Sequence, residues 1–265
     1  MDPTLPELLR ILDLETIEQN QFRAFHPPRT EGRVFGGQIM AQALMAAGRT
    51  VPSTLRVHSL HGYFLRPGDG RVPVLMSVER IRDGRSFSTR RVVAIQRGQA
   101  IFEMSASFQT PEDGLAHQAR TPQHAPPARI PQVLQRTAFI AFMEDWRSHR
   151  VGKPRGPHKR VWFRANGAVP DDALLHACLL TYQSDSDLMS TARLPHGRID
   201  RTRMQRASLD HALWFHRAVR VDEWLLYDLD SPTSSAARGY SRGELYQADG
   251  TLVASAMQEC LMRIR

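Results

Sequence analysis

Cysteine, lysine and long apolar runs are the scarce features of this 265-residue chain, and each shortage excludes a class of protein. Only Cys178 and Cys260 occur, too few for a disulfide framework. No apolar run reaches the ~18 residues that a membrane-spanning helix needs. The opening Met1-Asp2-Pro3-Thr4-Leu5-Pro6 has neither the basic region nor the apolar stretch of a secretory signal, and the closing Met262-Arg263-Ile264-Arg265 is not a Ser-Lys-Leu-type peroxisomal address. The expectation is a cytoplasmic protein with no membrane partner. The short motifs of well-known chemistries are also missing: no Gly-x-Ser-x-Gly elbow, His-Glu-x-x-His, Walker loop, Gly-x-Gly-x-x-Gly or Cys-x-x-Cys. The histidines are not spaced as ligands, and His211 and His216, five apart in an expected strand, fall on opposite faces. No metal or cofactor is therefore expected.

Positive charge is plentiful. The formal net charge is +8, and the only lysines are Lys153 and Lys159. The arginines are spread along the chain and are densest between Lys153 and Arg164. A nucleic-acid binder would gather them into blocks interleaved with exposed aromatics, so that partner is not expected. A diffuse arginine surface also suits a small polyanionic ligand, because a guanidinium forks phosphate oxygens. Codon composition alone would produce the same bias.

Hydrophobic content of 42% and a length of 265 residues fit one large domain or two ordinary ones. Leu5, Leu8, Leu9, Leu12 and Leu14 recur at near-helical spacing and predict an N-terminal amphipathic helix. A polar strand-like stretch runs from Glu15 to Phe25. Val34-Phe35-Gly36-Gly37-Gln38 then leads into a buried helix from Ile39 to Ala47, with Gly48 placed to end it. Strands are expected at Val57 to Leu65, Val72 to Arg82, Ser86 to Gln96 and Ala100 to Gln109. Turns at Arg66-Pro67-Gly68-Asp69-Gly70, Asp83-Gly84 and Arg97-Gly98 separate them. Pro111 to Gly156 is proline-rich and reads as a surface linker with one short helical piece near Thr137 to Trp146. The pattern then restarts: a strand at Arg160 to Asn166, a helix opened by Pro170-Asp171-Asp172 and running to about Met189, and strands at Ser208 to His216, Trp224 to Ser231, Ser235 to Tyr246 and Thr251 to Met262.

Strand, helix and four strands thus occur twice, a weak internal repeat that decides the architecture. Laying Gly98 on Gly250 puts Arg90 on Arg242; a one-residue gap then puts Ile101-Phe102 on Leu252-Val253 and Ser107 on Gln258. A long helix wrapped by a curved antiparallel sheet is the hotdog arrangement. The predicted fold is α+β, a double hotdog, with an N-terminal repeat over 1–115, a linker over 116–157 and a C-terminal repeat over 158–265.

Two polar residues interrupt apolar files. Leu174, Cys178, Tyr182, Asp185 and Met189 share one helix face, on which an unpaired buried carboxylate would cost several kcal/mol. Asp185 is therefore paired, at a cavity edge, or at a frayed helix end facing water. In the last strand Gln258 interrupts the file Leu252, Ala254, Ala256, Cys260, Met262; an edge or bulge position would explain it equally well. Ser208 merely opens a strand. Asp210 and His211 are adjacent, face opposite ways in a regular strand and cannot act as a direct acid–base pair.

These segments carry a resemblance. Val34-Phe35-Gly36-Gly37-Gln38, His58 to Asp69 (HSLHGYFLRPGD), Asp83 to Ser88, Trp162 to Gly167, Tyr182 to Asp185, Leu209 to Arg217 (LDHALWFHR), Ser234 to Gly239 and Gln258-Glu259 resemble the acyl-CoA thioesterase II family, the TesB-like double-hotdog thioesterases. That resemblance implies hydrolysis of acyl-CoA thioesters by water activated by an Asp, a Ser or Thr, and a Gln. By position these are Asp185, Ser208 and Gln258. Gly36, Gly37, Gln38, His58 and Arg66 are the expected substrate contacts, acyl-CoA the partner, and a homo-oligomer of double-hotdog chains the assembly. The first repeat's helix, Gly36 to Gly48, contains no carboxylate, so one active site per chain is expected. Two other readings stay open, a non-catalytic acyl-CoA-binding protein and an enoyl-CoA hydratase-type hotdog enzyme. The latter chemistry wants an Asp and a His close together.

Overall fold

A computed structural model of the chain describes residues 3–28, 30, 32–119, 125–126, 137–143, 153–197, 199 and 203–265. Helix α1 (Leu5–Leu12) starts at a capping box in which Thr4 and Glu7 satisfy each other's backbone N–H groups, and it buries Leu5, Leu8, Ile11 and Leu12. The polar stretch after it is a hairpin, β1 (Glu15–Glu18) and β2 (Gln21–Ala24), turning at Asn20 with φ 65°. Helix α2 (Gly36–Gly48) is buried on every side, its two glutamines, Gln38 and Gln42, being hydrogen-bonded inside. It is followed by β3 (Arg56–Phe64), β4 (Val74–Asp83), β5 (Phe87–Gln96) and β6 (Gln99–Gln109).

The second half holds β7 (Phe139–Met143), β8 (His158–Ala165), α3 (Ala173–Ser184), a short α4 (Leu188–Ala192), β9 (Met204–Ser208), β10 (Asp210–Phe215), β11 (Leu225–Ser235), β12 (Arg238–Gln247) and β13 (Leu252–Ile264). The strands form one antiparallel sheet in the order β1-β2-β4-β5-β6-β3-β10-β13-β12-β11-β8-β7, with β9 also paired to β13. The order is a mirror about the β3–β10 pair, where Ser59 faces Trp214 and Tyr63 faces Asp210. Helices α2 and α3 pack on each other inside the curved sheet. This is the double hotdog expected from the repeat.

Four local expectations are corrected. The helical piece near Thr137 to Trp146 is a strand over Phe139–Met143, the remainder lying outside the described residues; its aromatic and branched side chains suit the edge of β8, with Phe139 opposite Ala165. The second helix ends at Ser184, not near Met189, because Asp187 adopts φ 75°, a left-handed conformation that a helix cannot continue through. The strand from Ser208 to His216 is broken at Leu209. There Cys260 pairs with Ser208 and Met257 with Ala212, so four steps on one strand meet three on the other, a β-bulge. Finally, the repeat alignment is one residue out of register. Phe102, Met104, Ala106 and Phe108 face inward as Ala254, Ala256, Gln258 and Cys260 do, whereas Ser107 lies on the other face; likewise Arg90 is buried and Arg242 exposed. A period of two makes any one-residue slip a change of face.

Candidate active site

Helix α3 is started by the Asp172 side chain, which accepts from Leu174 and Leu175 N–H, and its C-cap residue is Asp185. The turn beyond is pinned from β8: the buried Lys159 ammonium pairs with Asp187 and bonds Ser190 Oγ at 2.8 Å. Ser190 and Thr191 in turn donate to Asp187 O, both at 2.9 Å. The carboxylate at position 185 is thus carried by a turn with little freedom.

Asp185 is only 8% exposed, and its oxygens have specific partners. Gly37 N–H, in the first turn of α2, donates to Oδ2 at 2.9 Å. Ser208 Oγ, at the end of β9, donates to Oδ1 at 3.4 Å. Gln258 Nε2 donates to Ser208 Oγ at 3.2 Å. The other end of that amide, Oε1, lies 2.8 Å from His211 Nδ1, and His211 Nε2 lies 3.0 Å from Ser184 Oγ. The three residues expected from the sequence therefore meet in one cluster, assembled from α3, β9 and β13 and completed by the N-terminus of α2 from the other repeat. The positive end of that helix favours an anion where Asp185 sits.

Glycine is required at this junction. A Cβ on Gly36 would stand 2.7 Å from Asp185 Oδ2 and 2.9 Å from the Phe64 ring, and one on Gly37 would stand 2.2 Å from Tyr182 O. Aromatic rings line the same place: Phe35 meets Tyr182 edge-on with centroids 5.0 Å apart, and Phe64 lies 5.0 Å from Phe102. Burial among them pushes the Asp185 carboxyl above its ordinary range, against the opposing pull of His211 and of the Gly37, Ser208 and Gln258 donors. Burial likewise lowers His211, against the pull of Asp185.

The expected substrate contacts fall in several places. Gly36 and Gly37 are at the cluster. Gln38 is buried and bonds His26 Nδ1 and Gln42. His58 meets Ser107 Oγ at 2.8 Å, and exposed Arg66 donates to Ala100 O at 2.7 Å. None of these three bonds the Asp185 set.

Two residues were not expected from the sequence: His211 in the cluster, and Lys159, which pins the turn beyond Asp185. The signal for His211 was its place in the alternation His211, Leu213, a core-facing file. The bulge at Leu209 then brings Ser208 and His211 to the same interior. Asp210 instead accepts Glu259 N–H at 2.7 Å, so the adjacent acid and imidazole indeed do not work as a pair.

Comparisons with known proteins show the family to which the chain belongs. A family model described as "Acyl-CoA thioesterase" matches residues 134–261, and one described as "Acyl-CoA thioesterase N-terminal domain" matches residues 25–109. The chain is 38% identical over 286 residues to acyl-coenzyme A thioesterase 8 of Mus musculus, covering 96% of this chain and 88% of that protein. It is 34% identical to acyl-CoA thioesterase 2 of Haemophilus influenzae, covering 99% of each. Among solved structures, the acyl-CoA thioesterase II TesB2 of Mycobacterium marinum superposes with a TM-score of 0.84 at 42% identity, covering 97% of each chain.

Proposed function

The chain belongs to the acyl-CoA thioesterase II family and hydrolyses acyl-CoA thioesters, and from that premise we propose that Asp185, Ser208 and Gln258 activate the attacking water. Asp185 accepts a proton from water as its oxygen attacks the thioester carbonyl carbon, a role typically worth about 10²–10⁴-fold in rate. Ser208 and the Gln258 amide hold that water in line. The tetrahedral oxyanion then collapses, the carbon–sulfur bond breaks, and the CoA sulfur leaves as thiolate or takes back the proton from Asp185. What carries this reading is the hydrogen-bonded chain Gln258–Ser208–Asp185 with the carboxylate buried beside aromatic rings.

The oxyanion needs a donor set in advance. In the first turn of α2, Gln38 and Ile39 N–H donate to Phe35 O and Gly37 N–H donates to Asp185. Gly36 N–H is left without an acceptor among the described residues, and we assign it to the carbonyl oxygen. Phe35, Phe64 and Tyr182 supply the apolar wall for the acyl chain. Arg66 and His58 are our candidates for the CoA end. Within the same proposal, the repeats divide at 115 and 158 with β7 as an added edge strand, the enzyme is cytoplasmic, and chains associate as a homo-oligomer, measurable by fractionation and sedimentation.

The discriminating experiment is Ser208→Ala and Gln258→Ala with steady-state kinetics on an acyl-CoA series. Both variants should lower kcat more than they raise KM, because they orient water and not the acyl group. Effects mainly on KM would reassign the two residues to substrate binding, and unchanged kinetics would remove them from the site. The hydratase reading is disfavoured because both His211 nitrogens are already occupied, by Gln258 and Ser184.

A further inference from the structure

We propose that His211 is a positioning residue that sets the direction of the catalytic hydrogen-bond chain by locking the Gln258 amide with its NH₂ group towards Ser208 and Asp185. The inference rests on the assignment of Asp185, Ser208 and Gln258 given above.

The direction follows from the one group in the chain that has no choice. An ionised carboxylate only accepts hydrogen bonds. Ser208, 3.4 Å from Asp185 Oδ1, therefore spends its single proton on the carboxylate and has only lone pairs left for Gln258 at 3.2 Å. The amide end that meets Ser208 must be the NH₂. Its carbonyl end then points away, at His211 Nδ1 2.8 Å distant, and a carbonyl only accepts, so Nδ1 carries hydrogen. His211 is 1% exposed, and burial disfavours the imidazolium. Burial favours a neutral ring with its one hydrogen on Nδ1, and Nε2 lies 3.0 Å from Ser184 Oγ. Ser184 Oγ also lies 2.9 Å from Thr181 O, and its one proton cannot serve both. A neutral ring with a bare Nε2 requires that proton to leave Thr181 O for His211; Tyr227, donating to Ser184 O at 3.0 Å, helps fix that residue's backbone.

An amide is nearly symmetric in shape, so only its partners decide which way round it sits. Without the His211 donor, Gln258 is free to rotate by half a turn and present its carbonyl to Ser208. Ser208 would then give its proton to Gln258, and Asp185 Oδ1 would face oxygen lone pairs in place of a donor, leaving Gly37 N–H on Oδ2 alone. The consequences are a misoriented water and an Asp185 that holds its proton to higher pH. Among the described residues, Tyr227 from β11 and Cys260 from β13 also feel the Asp185 charge. Burial pushes the Tyr227 phenol upward and the Cys260 thiol to about 11, so neither ionises near neutrality. Asp210 acts on His211 through its charge and spends its carboxylate on Glu259 N–H.

The test has two arms. In the parent protein, ¹⁵N NMR of the imidazole should show His211 protonated at Nδ1 and bare at Nε2; the opposite tautomer would overturn the proposal without any variant. In kinetics, His211→Phe keeps the ring but removes the donor, and should lower kcat by about 10- to 100-fold with little change in KM, the scale of a misplaced reacting group. Its acid limb should move to higher pH. His211→Asn, whose amide can reach the Nδ1 position, should recover much of kcat and restore the limb, whereas His211→Gln, reaching the Nε2 position, should not. Equal loss in all three variants with an unmoved limb would make His211 a packing residue and end the proposal. If Gln258→Ala and Asp185→Asn instead leave turnover intact, the catalytic assignment falls on its own, independently of the tautomer.

Discussion

A carboxylate that is 8% exposed has given up most of its hydration, and what replaces it here is one backbone N–H, one hydroxyl and a helix terminus. That trade raises its proton affinity, which suits a general base, and it burdens the fold. The sign is definite. A carboxyl whose pKa is higher folded than unfolded binds its proton more tightly in the native state, so its contribution to stability is best below the unfolded value, about 3.9, and is lost as pH rises through the folded value. At neutral pH the ionised group therefore opposes folding. Asp185→Asn should lower kcat by at least about 10²-fold and melt at or above the parent's temperature at pH 7 to 8. Near-normal turnover would sink the assignment, and a marked loss of melting temperature would contradict the account of its burial. In the parent, the acid limb of kcat/KM should lie above the ordinary carboxylate range, as an apparent value belonging to the Asp185–His211 pair.

At the scale of elements, the site depends on how closely the start of α2 approaches the end of α3. Gly37 N–H reaches the Asp185 carboxylate, and there is no room for a Cβ on Gly37 beside the Tyr182 carbonyl. A methyl at position 37 would sit 2.2 Å from that carbonyl, which belongs to a helix and cannot swing aside. Gly37→Ala should therefore separate the two helices, cost about 1–3 kcal/mol as overpacking does, and lower kcat by withdrawing the donor from Asp185. Denaturant titration and kinetics on the same preparation check both effects; a stable, active Gly37→Ala protein would show that the helices do not need this approach. The bulge at Leu209 and the left-handed Asp187 are the other two local devices. Each departs from a regular element at the residue next to, or two beyond, a member of the cluster.

At the scale of the whole molecule, two similar repeats could make two sites, yet their chemistry differs. Where α3 ends in Asp185, α2 ends in Arg49, which is tied to Leu14 O at 2.6 Å and Asp13 at 2.7 Å. Where Ser241 pairs with Gln258 on β12 and β13, Arg90 pairs with Ala106 on β5 and β6. The Arg90 guanidinium is fully buried and bonded to Thr50 Oγ1, Thr50 O, Arg82 O, Thr89 O and Asp83. We propose that it fills the place that the second repeat keeps for catalysis, leaving one site per chain. Arg90→Met should then destabilise the protein by about 1–3 kcal/mol, the cost of leaving buried acceptors such as Thr50 O without a donor. Turnover per folded molecule should stay unchanged. If Asp185→Asn retained about half the activity, the first repeat would hold a working site and this reading would be wrong.

The alternation of apolar residues, the turn dipeptides and the doubled order of elements were enough to determine the double hotdog, because burial on one face imposes a period that local sequence displays. Asp185 and Gln258 were visible for the same reason: a polar residue in an apolar file breaks the period. Ser208 had no such mark and was identifiable only through the family resemblance. What the tertiary structure alone decided is everything that depends on a broken period or on another element's approach. The bulge at Leu209 turned His211 into the interior beside Ser208, although regular alternation put them on opposite faces. The left-handed Asp187 stopped α3 at the carboxylate, and Lys159 reached Asp187 from a strand 28 residues away. The N-terminus of α2, 148 residues from Asp185 along the chain, became its hydrogen-bond donor. Such contacts join residues whose separation carries no periodicity, so they exist only once the two repeats have closed on each other.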